Sequence, residues 1–232
     1  QINDFVKSIK YFDDLSDLYK SKKIQYLISI NFLQGKFDEV LDFDSVLKEC
    51  VDLLELEKVI CIPTDTCYGL SCIFDSGNAK EQIAKFKRTS KDKPLTMIVS
   101  SVGMLYKYCE VSSLAAQLIE EYWPGPLTLL LPSKFSDGYI GVRLPDHSFL
   151  QTLVAKLDKP IFSTSANLTG QKEAYSIDEL SQQFEGKLEG LDFILDNGIL
   201  DFNRPSTILK IVGDKLELIR EGDVWGSISQ RF

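Results

Sequence analysis

The sequence predicts an α/β domain built on a mixed β-sheet. Short apolar runs rich in β-branched residues, such as Val59-Ile60-Cys61-Ile62, are the right length for buried strands. Amphipathic stretches lie between them, as where Val46, Leu47, Cys50, Val51, Leu53 and Leu54 recur at helical spacing. Along the chain the two kinds of segment alternate, which is the pattern of helices packed on a sheet. The 232 residues are 44% hydrophobic and 26% charged. That is enough for one sizeable core, so one principal domain (43–232) is expected after an N-terminal extension (1–42) of no assigned role.

Within the extension, a short helix is expected from Asp4 to Tyr19, where the face from Phe5 onward could dock on a partner or pack on its own domain. A strand-like run follows, Lys23 to Ile30. In the principal domain a helix opens near Asp44, which can cap it, and the strand at Val59–Ile62 is halted by Pro63. Next come a helix over Asn78–Lys87, a strand at Leu95–Val99, a helix at Ser112–Tyr122, and a strand at Leu127–Leu131 after the turn Trp123-Pro124-Gly125-Pro126. Gly141–Leu144 and Pro160–Ser163 read as strand ends. Thr207–Val212 and Lys215–Ile219 read as a closing hairpin across Gly213-Asp214.

Composition excludes several classes. The five cysteines are odd in number and include no C-x-x-C pair, which argues against a disulfide framework or a zinc site and for a reducing, cytoplasmic setting. No apolar stretch nears the ~20 residues of a spanning helix, and Gln1-Ile2-Asn3-Asp4 lacks a signal-peptide layout. A start without Met is expected of a trimmed or engineered chain. Net charge is −8, so any anion site must be a local exception and no strong autonomous grip on nucleic acid is expected.

Four loops beyond strands carry polar residues. Pro63-Thr64-Asp65-Thr66-Cys67-Tyr68-Gly69-Leu70 could bind a ligand at a strand end, or merely turn and cap. Lys85 to Lys93 holds five cations in nine residues. They suit a triphosphate, and equally a solvated helix C-terminus. In Gly141-Val142-Arg143-Leu144-Pro145-Asp146-His147 the arginine could grip a carboxylate bidentately or pair with a structural acid. His147, the only histidine, reads as a hydrogen-bonding structural residue. Ser163-Thr164-Ser165-Ala166-Asn167-Leu168-Thr169-Gly170 can present donors to phosphate or ribose, or form an ordinary turn. P-loop and dinucleotide fingerprints are absent.

In order and spacing, PTDTCYGL, the Lys/Arg segment ending KPL, WPGPLTLLL, GVRLPDH, STSANLTG, RPSTI and the late LIREG resemble the YrdC/TsaC family from about Asp44 to Gly222. The resemblance implies a twisted mixed sheet flanked by helices around a central cavity. It also implies a threonylcarbamoyl-AMP synthase that condenses L-threonine, bicarbonate and ATP and releases pyrophosphate, for a downstream transferase that modifies tRNA. By the same resemblance, Thr66, Tyr68, Arg143, Ser163 and Ser206 correspond to threonine-binding positions. Lys87, Arg88, Lys93, Ser165, Asn167 and Arg220 correspond to ATP-binding ones, with Lys87, Arg88 and Lys93 as the catalytic cations. Mg²⁺ would be held mainly by ATP and water rather than by protein ligands. This chemistry needs no enzyme nucleophile, and no Ser-His-Asp or Cys-His arrangement is apparent.

The chain departs from the family pattern at Thr89, which stands where an arginine is common, with Arg88 one position early. Ile98 and Tyr139 are further departures. An alternative resemblance is to the YciO branch, a YrdC-like RNA-binding protein without synthase activity. A HypF-type carbamoyltransferase module would need zinc-finger and acylphosphatase segments that this chain lacks.

Overall fold

A computed structural model describes residues 28–31, 36–37, 43–91, 93–188, 190–213 and 215–232. The expected helix at Asp4–Tyr19 lies outside the described residues. The elements, in chain order, are β1 (Ile28–Asn31), β2 (Lys36–Phe37), α1 (Phe43–Glu55), β3 (Ile60–Pro63), β4 (Tyr68–Ile73), α2 (Gly77–Phe86), β5 (Thr96–Ile98), α3 (Val102–Tyr108), α4 (Ser113–Tyr122), β6 (Leu127–Pro132), β7 (Tyr139–Arg143), α5 (Ser148–Leu157), β8 (Ile161–Ser165), α6 (Ile177–Gln183), β9 (Phe193–Asp196), β10 (Thr207–Val212), β11 (Lys215–Arg220) and α7 (Trp225–Arg231).

The strands form one mixed, twisted sheet in the order β11-β10-β6-β7-β5-β8-β4-β3-β9-β1-β2. Three neighbouring pairs are parallel, β10–β6, β5–β7 and β3–β9, and the rest antiparallel. The described part of the N-terminal extension adds β1 beside β9 and β2 beside β1. Strand order is far from chain order, so the site is assembled from distant sequence. β8 lies between β4 and β5, and β7 between β5 and β6.

The expected helices and strands of the principal domain recur with boundaries moved by a residue or two, and of the run Lys23–Ile30 only Ile28–Ile30 lies among the described residues, in β1. Ser112 lies outside α4 as its N-cap, its hydroxyl accepting from Ala115 N at 3.2 Å. Asp44 is inside the first turn of α1 rather than before it. The segment Tyr68–Ile73 is a strand, not loop, and pairs with β3 as a hairpin whose tip is 64–67. Its alternating small and apolar residues, YGLSCI, are buried on both sides, so no polar face announces it. Unassigned from sequence, α3, α6 and α7 are seven-residue helices and β9 a four-residue strand, too short to show a clear period, whereas the ten-residue α5 carries one in Phe149, Leu150, Leu153, Val154 and Leu157.

The core is continuous. Tyr68, Phe193, Leu54, Ile60, Ile62 and Met97 are fully buried, and α1 packs on α5 with Phe43 and Phe149 edge to face at 5.5 Å. Among the described residues no helix is long and apolar enough to cross a membrane. All five cysteines are free and buried, and burial pushes the Cys67 thiol up to about 11.

Candidate functional site

The sheet register sorts the central strands into two unlike faces. Directly opposed residues share a face. Through the pairs Gly69–Ser165, Ser71–Ser163, Ser163–Thr96 and Thr96–Gly141, one face carries glycines and hydroxyls. Arg143, two residues after Gly141, ends this face on β7. The opposite face carries Leu70, Cys72, Phe162, Met97, Val142 and Leu129. Small side chains leave room, and hydroxyls supply donors and acceptors, so the first face is the one built to meet a polar ligand.

At its Arg143 end the guanidinium is 7% exposed and held on three sides. Nε donates to Gly125 O at 3.0 Å, Nη1 to Thr66 Oγ1 at 3.3 Å and Nη2 to Asp65 Oδ2 at 2.6 Å. Among the described residues three of the five N–H groups are thereby used, leaving two. Asp65 Oδ2 also accepts from Asp146 N at 3.0 Å, while Oδ1 is buried with no partner among the described residues. The sequence left Arg143 open between a ligand carboxylate and a structural acid. The folded chain pairs it with Asp65 and keeps part of its fork free. Gly125 makes this possible, because a Cβ there would lie 2.6 Å from Tyr122 O.

The hairpin tip is set by Thr64, whose hydroxyl accepts from Thr66 N at 3.1 Å and Cys67 N at 3.2 Å and donates to Cys67 O at 2.7 Å. Thr66 is thus both a turn residue and a neighbour of Arg143. Ser206 joins the same end of the sheet. Its hydroxyl lies 2.8 Å from Thr128 Oγ1 and accepts from Arg220 Nη2 at 3.0 Å, and its carbonyl accepts from Arg220 Nε at 3.0 Å. Thr128 sits one residue beyond the Leu129–Val142 pair, next to Arg143 in the sheet. Gly222 lets the chain cross here, since a Cβ would fall 2.5 Å from both Pro205 O and Thr207 N. Burial, foremost, lowers the Arg220 pKa, with the Arg143 charge also acting in that direction.

The other end of the face is organised by Lys87, the C-cap of α2, only 2% exposed. Its ammonium donates to Ser165 O, to Asn167 O at 2.8 Å and to Asn167 Oδ1 at 2.8 Å. Ser165 Oγ in turn donates to Asn167 Oδ1 at 2.6 Å. All three ammonium donors serve the loop after β8. Desolvation and then the nearby Lys93 charge lower Lys87 to about 8.

Helix α2 ends in a left-handed residue. Arg88 has φ 51°, Thr89 N donates to Ala84 O at 2.9 Å and Arg88 N to Lys85 O at 3.1 Å. This is the paired bonding in which glycine is usual. The reversal leaves Arg88 exposed. Lys93 is exposed, beside a cavity of about 210 Å³ formed by α2, residues 89–95 and β8.

Thr66, Arg143, Ser163, Ser206 and Arg220 are therefore gathered along one face, with Lys87, Ser165 and Asn167 at its far end. Tyr68 is not among them. It alternates onto the apolar face, fully buried, its hydroxyl donating to Gly198 O at 2.8 Å and accepting from Asn197 N at 2.9 Å. His147 is structural, capping α5 as its Nδ1 accepts from Leu150 N at 3.3 Å.

The sequence reading passed over Asp65, Ser71, Thr96, Thr128 and Glu173. The small residues at alternate positions of β4, β5 and β7 were the available signal for the face. Nothing marked Glu173, whose negative charge acts to raise the pKa of both Lys87 and Arg220 against the lowering by burial. Among the described residues no three His, Cys, Asp or Glu side chains converge as a metal cage.

The family profile Sua5_yciO_yrdC, described as "Telomere recombination", matches residues 52–222. A Vibrio vulnificus protein named threonylcarbamoyl-AMP synthase is 32% identical over 189 residues, covering 77% of this chain and 99% of its own length. The structure of P. abyssi Sua5 complexed with L-threonine superposes with a TM-score of 0.71 at 26% identity, covering 80% of this chain and 56% of that one, so this chain spans little more than half of that protein. E. coli YciO superposes with a TM-score of 0.69 at 26% identity, covering 81% of this chain and 94% of its own. The chain belongs to the Sua5/YciO/YrdC family.

Proposed function

We propose that the chain is an L-threonylcarbamoyl-adenylate synthase, joining L-threonine, bicarbonate and ATP for the modification of tRNA by a separate transferase. The observation that carries this reading is one polar sheet face with a partly free, buried guanidinium at one end and, at the other, the buried Lys87 holding the Ser165–Asn167 loop, with Lys93 exposed. Such a face suits a substrate pair in which an amino-acid carboxylate and a triphosphate are held apart and joined in the middle. The synthase names of the relatives and the threonine complex of the neighbour support the same substrate class.

Threonine's amine and bicarbonate form a carbamate with loss of water. A carbamate oxygen then attacks the α-phosphorus, and pyrophosphate leaves with the bonding electrons. The two open N–H groups of Arg143 hold the amino-acid carboxylate. Thr66, Ser163 and Ser206 offer hydroxyls to the amine and side-chain hydroxyl, the means of rejecting valine. Lys93, Arg88 and Arg220 offset phosphate charge. Lys87 acts through the Ser165–Asn167 loop that it fixes. Rate comes from positioning and preorganised charge, with no covalent intermediate. Mg²⁺ would enter with ATP, bound by phosphate oxygens and water.

The test is pyrophosphate release from MgATP with L-threonine, L-serine or L-valine, with and without bicarbonate. Release that requires both threonine and bicarbonate is expected. Amino-acid-independent release, or none, would overturn the reading. In the second case the exposed, displaced Arg88 would favour a YciO-like protein without synthase activity.

A further inference from the structure

Ile199 and Phe202 are 86% and 78% exposed, the two most exposed large apolar side chains among the described residues. Both lie in the loop 197–205 that leaves β9. The Phe202 ring meets the half-buried ring of Tyr175 at 5.2 Å, and Leu200 N donates to Tyr175 O at 2.8 Å, so the start of the loop is kept beside the same residue. Apolar groups gathered in this way mark a surface that another segment covers.

The loop is held from below. Tyr68 Oη donates to Gly198 O at 2.8 Å and Tyr175 Oη to Asn203 O at 2.8 Å. Asn203 Nδ2 donates to Asp65 O at 3.0 Å, which ties the loop to the hairpin tip that carries Asp65 and Thr66. Ile199 and Phe202 are therefore presented on a fixed base at the Arg143 end of the polar face.

The sequence supplies an occupant. In residues 4–19, Phe5, Ile9, Phe12, Leu15 and Tyr19 recur at steps of four, three, three and four, on one side of a helical period. Lys7, Lys10, Asp13, Asp14 and Asp17 fall on the other side, so this segment has an apolar stripe to bury. Register brings it to the loop. β1 runs antiparallel to β9 with Ile28 opposite Asp196, so the chain enters β1 at the end of the sheet where the loop 197–205 begins. Ile199 is three residues past Asp196, hence within ~16 Å of Ile28, and the eight residues 20–27 can span up to ~27 Å. The next most exposed apolar side chains, Leu56 and Phe135, are placed elsewhere. Leu56 precedes β3, which is parallel to β9, and so stands at the other end of the sheet; Phe135 joins β6 to β7, several strands away.

We propose that Ile199 and Phe202, with the Tyr175 ring, form the docking surface for residues 4–19 of the same chain. The apolar stripe of that segment covers the loop, and through Asn203 and Asp65 the docked extension steadies the hairpin tip beside Arg143.

Photo-cross-linking of the full chain, with benzoylphenylalanine in place of Phe202, tests the contact without removing an apolar group. A cross-link to a peptide within residues 4–19, in a species of monomer mass, is expected. A cross-link found in a species of dimer mass would give the surface to a second copy and overturn the proposal. No cross-link to residues 4–19 would overturn it as well, leaving the surface to another protein. Hydrogen exchange supplies a second readout. In the full-length variant Phe5→Ser with Phe12→Ser, amides of residues 199–203 should exchange about tenfold faster than in the wild type, with a smaller rise at 65–67 and none in β6 and β7. Wild-type exchange at 199–203 would refute docking. Neither measurement involves turnover, so the docking stands or falls apart from the synthase reading.

Discussion

Removing either partner of the Asp65–Arg143 pair separates the structural part of that contact from its role in binding. The side chains are 11% (Asp65) and 8% (Arg143) exposed and meet at 2.6 Å, so solvent screens them little. At an effective dielectric constant of 20 and about 4 Å between charge centres, the attraction is about 4 kcal/mol. Asp65→Asn and Arg143→Met should each cost about 3 kcal/mol, because each leaves a buried charge without its counterion. The double variant should also cost about 3 kcal/mol rather than the additive ~6, a coupling of about 3 kcal/mol. Urea unfolding, followed by fluorescence of Trp123 and Trp225, reads this from midpoints at constant slope. The single variants should melt roughly 6–12 °C lower. Costs that add within about 0.5 kcal/mol would refute the coupling. The double variant should nonetheless fail to release pyrophosphate in response to threonine. Full activity there would reduce Arg143 to a structural ion pair.

Other perturbations test the remaining parts of the site. Gly222→Ala places a methyl 2.5 Å from two backbone atoms that cannot yield, so it should cost more than about 2 kcal/mol and weaken ATP binding by detaching Arg220 from Ser206; wild-type stability and nucleotide affinity would contradict the crossing. Arg88→Gly relieves a left-handed arginine and should gain about 1 kcal/mol while raising KM for ATP about tenfold; a loss of stability would show that the helix end is not strained. With Lys87 lowered to about 8, kcat/KM for ATP should fall as pH rises through 8, and Lys93→Met should move that fall to higher pH by removing a like charge. Stability should run the opposite way. Between about pH 8 and 10.5 the unfolded chain binds a proton at this lysine that the folded chain does not, so the Lys87 contribution rises with pH, as denaturant midpoints can show.

Local patterns in the sequence determined the class of fold and most of the site's residue types. The apolar run at β3, the helical period of α1 and the hairpin at β10–β11 each depend on neighbours a few residues apart, so they were legible. The order of PTDT, the lysine segment, GVR, STSAN and the late arginine pointed to one family because each keeps its loop chemistry locally. Facing was decided by tertiary structure. Which side of β8 carries Ser163 and which Thr164, and hence that a lysine cavity lies behind the serine face, follows from strand pairings up to 96 residues apart such as Gly69–Ser165. Tyr68 sits in a motif with Thr66 yet turns to the core, because strand alternation overrides proximity in sequence. The pairing of Arg143 with Asp65 and the inward turn of Lys87 were likewise beyond the sequence. A buried charge takes whichever partner the fold brings within reach, and here the partners are 78 and 80 residues away.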